Sequence, residues 1–188
     1  MNIFLGEVVG TMFLIMLGDG VVANVLLGKT KGNNSGWIVI TTAWAMAVFV
    51  GVFVSLGLGG NAHLNPAVTL TFWRLGKVKG WDALFYIAAQ FIGGVAGVGI
   101  AAAALGMVVA HPAVRYAATV PGRGGSGVAF GAEFIMTFVL MTVILRVSNR
   151  PGLNRFTGLF AAALVTSYII LEAPLSGMSL NPARCIAC

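Results

Sequence analysis

The sequence predicts an all-α membrane protein, an inverted-repeat helical bundle in which two half-helices meet at a pore centre. Three observations predict it. The 188 residues are 59% hydrophobic and only 9% charged, with a mean hydropathy of +0.96, well outside soluble globular composition. Five apolar segments are near or within the ~17–25 residues that cross a bilayer. The tripeptide Asn-Pro-Ala occurs twice, at Asn65-Pro66-Ala67 and Asn181-Pro182-Ala183, each time after a long apolar segment.

The five expected spans are, in order, Ile3–Leu27, Trp37–Gly59, Ala83–Met107, Val128–Leu145 and Phe156–Leu171. The first is not a secretory signal, because it has no basic leader, carries Glu7 early and runs too far before a polar break. Each Asn-Pro-Ala reads as a helix start: Asn is a favoured N-cap, and Pro is tolerated at the first helical position, where its missing N–H would have no partner anyway. A helix start at membrane depth is a break in a span. Broken backbone survives there only where it is buried in protein or lines a cavity. Two breaks in corresponding positions of two halves point to a path near the bilayer midplane.

The halves are visible in the residues. Glu7-Val-Val-Gly-Thr11-Met-Phe13 resembles Glu133-Phe-Ile-Met-Thr137-Phe-Val139, and both precede an Asn-Pro-Ala, Glu7 by 58 residues and Glu133 by 48. The expected organisation is a first repeat over 1–109 with three spans and a half-helix, an exterior loop over 110–127 marked by Pro112, Pro121 and a glycine cluster, and a second repeat over 128–188. Three spans per repeat turn the second upside down relative to the first. The second repeat is incomplete after its Asn-Pro-Ala, lacking most of its half-helix and a sixth span. On that reading the 188 residues alone are not expected to seal a selective pore, whereas a version longer by ~45 residues would. The net charge of +6 lies in short connections between spans and is read as topology rather than nucleic-acid binding. Arg74, Lys77, Lys79, Arg146, Arg150 and Arg155 lie on one side and Lys29, Lys31, Arg115 and Arg123 on the other, a bias that favours a cytoplasmic N-terminus.

Taken together, Ala62-His63-Leu64-Asn65-Pro66-Ala67-Val68-Thr69, Ser179-Leu180-Asn181-Pro182-Ala183-Arg184 and the paired Glu7 and Glu133 resemble the major intrinsic protein family, the aquaporins and glycerol facilitators. The resemblance covers essentially the whole chain and stops short of the family's sixth span. It implies a passive channel for water or small uncharged solutes in the plasma membrane, multi-pass, with the bilayer as partner and a homotetramer as assembly. By the same alignment the constriction falls on Trp44, Ile169, Met178 and Arg184; one inserted residue near Asn61 selects Trp44, and without it Ala45 takes that place. Trp44, Ile169 and Met178 would form an apolar wall opposite one donor, suited to a solute with a hydrocarbon back and a hydroxyl edge, and so nearer a polyol pore than a strict water pore. Cys185 stands where glycerol facilitators usually carry Asp.

Physical chemistry gives these residues roles. Helix N-termini aimed at the pore centre carry about half a positive charge each, which repels cations and disfavours a protonated water chain. The Asn65 and Asn181 amides can donate to a passing oxygen, and Arg184 adds permanent charge and several donors. Glu7 and Glu133, as intramembrane acids, are candidates for a proton relay. The preferred reading makes them structural acceptors for the backbone N–H groups of the loops leading to the half-helices. His63 is expected beside its loop as a structural or pore-flanking residue, and Asp19 near the outer end of the first span.

Other patterns carry no chemistry. Gly57-Leu-Gly59-Gly-Asn-Ala62 and Gly122-Arg-Gly124-Gly-Ser-Gly127 fit a dinucleotide string without the strand it needs. Gly6/Gly10, Gly93/Gly97 and Gly127/Gly131 have the spacing that lets helices approach closely. Cys185 and Cys188 form a lone C-x-x-C, too few ligands for zinc. Asn33-Asn34-Ser35 is a glycosylation string only in a eukaryotic source. No nucleophile–base set, metal site or cofactor motif is found, so no enzyme is expected. The expected function is passive passage of glycerol, other small neutral solutes and water. The alternatives are an ion- or proton-coupled solute transporter using Glu7 and Glu133, and a water-selective channel.

Overall fold

A computed structural model describes residues 2–187, which are helical or loop with no strand among them. The helices are α1 (Asn2–Leu26), α2 (Trp37–Gly57), α3 (Pro66–Arg74), α4 (Gly80–Leu105), α5 (Gly125–Ser148), α6 (Thr157–Ser176) and α7 (Pro182–Ala187), with short 3₁₀ turns at Gly106–Ala110, Arg115–Ala117 and Asn154–Phe156. Five of them, α1, α2, α4, α5 and α6, are long and apolar enough to span a bilayer. Large apolar side chains such as Phe53, Phe130, Phe138 and Leu171 point outward, as they do when the solvent is lipid and apolar surface need not be hidden from water.

α1 packs against both α2 and α4, and glycines make those contacts close. A Cβ on Gly93 would collide with the Val8 carbonyl oxygen, and one on Gly97 would sit 2.7 Å from that of Met12. Gly6 and Gly10 face Gly60 and Gly51 in the same way. The Gly127/Gly131 pair on α5 differs from the expectation: a Cβ at either position would meet nothing within 4 Å.

Two short helices, α3 and α7, interrupt the pattern of spans. Asn65 holds extended backbone (φ −157°, ψ 121°), and its Oδ1 accepts from the Ala67 N–H at 2.8 Å while Pro66 takes the first helical position. Asn181 Oδ1 likewise accepts from the Ala183 N–H at 3.0 Å, with Pro182 first in α7. Spans differ from the sequence boundaries chiefly in α6, which runs to Ser176 instead of stopping near Leu171. Pro174 sits in its last turn, and Gly177 ends the helix in the left-handed region (φ 80°), its N–H bonded to the Ala173 carbonyl at 2.9 Å. Pro174 leaves the Ile170 carbonyl without its helical N–H partner, and the helix ends soon afterwards at a left-handed glycine, the commonest stop. The loop after α4 folds back over this end, with the Gly122 N–H on the Leu175 carbonyl at 2.9 Å.

Candidate functional site: a cavity between the half-helices

The loops that lead into α3 and α7 are built alike. Ala62 and Leu64 have φ of 54° and 52°, and Met178 and Leu180 have 54° and 55°, a left-handed conformation that non-glycine residues hold only when their surroundings impose it. Alternating backbone of this kind turns neighbouring N–H groups to one side, making a concavity for an anion. A carboxylate fills each concavity, the fully buried Glu7 in the first and the half-buried Glu133 in the second. Glu7 accepts from the His63 N–H at 2.8 Å and the Leu64 N–H at 2.7 Å. Glu133 accepts from the Ser179 and Leu180 N–H groups, each at 2.7 Å.

Around the first carboxylate the hydrogen bonds form a linked set, in which the buried Gln90 Oε1 is left without a partner among the described residues. Gln90 on α4 is fully buried, and its Nε2 donates to Glu7 Oε2 at 2.8 Å and to Thr69 Oγ1 at 2.9 Å. Thr69 Oγ1 lies 3.0 Å from His63 Nδ1. Which of these two donates is set by the His63 tautomer, and the His63 ring stacks on Phe72 at 4.9 Å. Around the second carboxylate the partner is Ser176, whose hydroxyl is 2.6 Å from Glu133 Oε1 and 2.9 Å from Glu172 Oε2, and which accepts from the Met178 N–H at 3.0 Å. A hydroxyl has one proton, so it serves one of these carboxylates at a time.

The tips of the half-helices are tied to each other. Asn65 Nδ2 donates to the Leu180 carbonyl at 2.8 Å, and Asn181 Nδ2 donates to the Leu64 carbonyl at 2.7 Å. Residues 64 and 65 stand to 180 and 181 as 180 and 181 stand to 64 and 65. Reciprocity of this form is the signature of a two-fold relation between the parts. It leaves each amide one further N–H, because an amide nitrogen carries two.

Asn65, Asn181, His63, Trp44, Ile169, Met178 and Arg184 all line one cavity of about 860 Å³, and Ala45 does not. Pro66, Ala67, Pro182 and Ala183 form the helix starts behind the two asparagines. Glu7 and Glu133 lie off the cavity wall. Asp19 is 2% exposed and lies in the second half of α1.

Arg184 is held from three directions. Nη1 donates to the Met178 carbonyl at 3.0 Å, Nη2 to the Ala117 carbonyl at 3.4 Å, and Cζ lies 4.4 Å from the centre of the Trp44 ring. Stacking of this kind attracts the cation to the ring face. The guanidinium therefore stands on the indole instead of opposite it, a correction to the expected wall-and-donor arrangement. Ala117 closes a run of left-handed residues, Arg115, Tyr116 and Ala117, in the loop after α4 that reaches the arginine.

Sequence reading missed Gln90, Ser176 and Glu172. For Gln90 the signal was available, since a polar residue in an apolar span needs a partner; Glu172 and Ser176 lie past Leu171, in the turn of α6 that the expected span left out. Cys185 Sγ lies beside Ser179 Oγ, whereas Cys188 falls outside the described residues. Among the described residues no three His, Cys, Asp or Glu side chains group as metal ligands.

Five apolar spans and two asparagine-capped half-helices facing one cavity define a multi-pass membrane protein of the inverted-repeat channel class. The chain belongs to the major intrinsic protein family, whose sequence profile matches residues 1–188. It is 36% identical over 198 residues to a probable glycerol uptake facilitator protein of Thermotoga maritima, and 40% identical over 202 residues to the glycerol uptake facilitator protein of Streptococcus pneumoniae. Each alignment covers 98% of this chain and 80% of the relative. The fold superposes on the crystal structure of the aquaglyceroporin from Plasmodium falciparum with a TM-score of 0.86 and 26% identity, covering 99% of this chain and 78% of that one.

Proposed function

We propose that the protein is a passive channel for glycerol, other small neutral solutes and water, multi-pass in the plasma membrane with a cytoplasmic N-terminus, working as a homotetramer and carrying out no bond-making chemistry. One observation carries the choice between a channel and a proton-coupled transporter. Among the described residues no Asp or Glu lines the cavity, while Arg184, Lys77, Arg155 and the two asparagine amides do. A proton- or cation-coupled carrier uses an Asp, Glu or His that meets both solute path and solvent, and His63, the group of this kind on the wall, is engaged with Thr69 and stacked on Phe72. Glu7 and Glu133 instead face the backbone of the half-helix loops, which supports a scaffold role for them and for His63.

The wall chemistry supports the polyol reading. Trp44, Ile169, Leu14 and Val165 offer apolar surface, and the remaining amide protons of Asn65 and Asn181 together with Arg184 offer donors. A hydroxylated solute exchanges its water hydrogen bonds for these donors and keeps its carbons against the apolar side. The positive end of α3 and the fixed charge of Arg184 disfavour cations on the same path. The test is glycerol flux in vesicles with and without an imposed proton gradient. Flux set by the glycerol difference alone supports the channel; glycerol accumulated at the expense of the proton gradient refutes it.

A further inference from the structure

We infer that Gly18 on α1 is a positioning residue that sets the width of the constriction by giving the Trp44 indole its seat. The inference rests on the reading of Trp44 as a wall of the solute path. Gly18 is buried and does not itself line the cavity. A Cβ at this position would collide with Cη2 and Cζ3 of Trp44 and lie 2.6 Å from Cζ2. Carbon atoms in contact stay ~3.5–4.0 Å apart, so the outer edge of the indole occupies the space a side chain on residue 18 would need.

The ring has few ways to yield. Its face carries the Arg184 guanidinium, 4.4 Å from the ring centre. It shares its buried cluster with Leu14, Ile15 and Ile40. A methyl group on residue 18 drives the indole off α1, toward the cavity and the arginine. The effective bore thus depends on a residue with no contact to solute. Gly20, two residues along the same helix, is a natural control, because a Cβ there meets nothing within 4 Å.

The experiment compares wild type, Gly18→Ala, Gly20→Ala, Trp44→Phe and the double variant Gly18→Ala/Trp44→Phe in liposomes, each carried in the version longer by ~45 residues that is expected to seal the pore. Stopped-flow scattering gives permeabilities to water, urea and glycerol. Gly18→Ala is expected to lower the glycerol-to-water ratio by ~10-fold or more, the scale of one methylene misplaced in a fitted site. Gly20→Ala should leave the ratio unchanged. Because a phenyl ring is smaller than an indole, the double variant should return to the ratio of Trp44→Phe alone. An unchanged ratio in Gly18→Ala, or a loss that Trp44→Phe does not relieve, overturns the inference.

Should wild-type vesicles pass water and urea but no glycerol, the proposed solute fails while the seat is still read from the urea-to-water ratio. Thermal unfolding in detergent reads it without any flux. Gly18→Ala should lower the midpoint when Trp44 is present and leave it in place in the Trp44→Phe background, and an equal drop in both backgrounds overturns the seat.

Discussion

At the scale of single residues, the two asparagines combine tasks that a soluble helix cap never has to combine. Each Oδ1 caps its own helix, and each Nδ2 bridges to the other half. The cap was legible in the sequence, because it depends only on Asn followed by Pro. The bridge was not, since it joins residues more than a hundred positions apart. Trp44 was placed by alignment against Ala45, and of the two Trp44 is the one that lines the cavity; its contact with Arg184 depends on a rotamer that no spacing encodes. Glu7→Gln tests the carboxylate cradle. The glutamine would turn one NH₂ toward a loop N–H, leaving a buried donor without a partner at a cost of about 1–3 kcal/mol. A matching loss of stability in detergent is the expected result, and unchanged unfolding would show that the loop is held by other means. Arg184→Leu removes a permanent charge from the cavity. Two unit charges ~4 Å apart interact by about 4 kcal/mol at an effective dielectric of ~20, so proton or cation leak should rise by more than ~10-fold. Ion-tight vesicles from that variant would assign the exclusion elsewhere.

Among the elements, helix approach decides what can change. The small-residue spacing of Gly93 and Gly97 marked a real contact with α1, and the identical spacing of Gly127 and Gly131 meets open space. A motif of spaced glycines reports that a close approach is possible; only the partner helix shows whether it is made. The extra turn of α6 was missed for a related reason. The apolar run thins after Leu171, but the helix continues through Pro174 and stops only at the left-handed Gly177. Gly93→Val would put carbon into the Val8 carbonyl and separate α1 from α4, an overpacking cost of at least ~1–3 kcal/mol. Gly99→Ala, where a Cβ meets nothing within 4 Å, should be neutral or slightly stabilising by helix propensity. Equal thermal midpoints for Gly93→Val and wild type would contradict the packing described for α1 and α4.

For the whole molecule, membrane class and helix number followed from composition and run length, and the pairing of the halves followed from the repeated tripeptide. The two-fold relation becomes concrete in the reciprocal bonds between Asn65, Leu180, Asn181 and Leu64, and in the carboxylates that brace equivalent loops. Those bonds fix where the halves meet, and the cavity passes that point. The central claim is that neutral solute crosses through this cavity and by no other route. Ile169 lines it, 6% exposed, on the wall shared with Trp44, Met178 and Arg184. The most direct measurement is stopped-flow glycerol uptake by vesicles carrying equal amounts of the wild-type chain or Ile169→Trp, with unfolding followed in parallel. A folded Ile169→Trp protein whose glycerol permeability drops to that of protein-free vesicles is the expected result. Wild-type uptake from that variant would place the solute path outside the cavity and contradict the account.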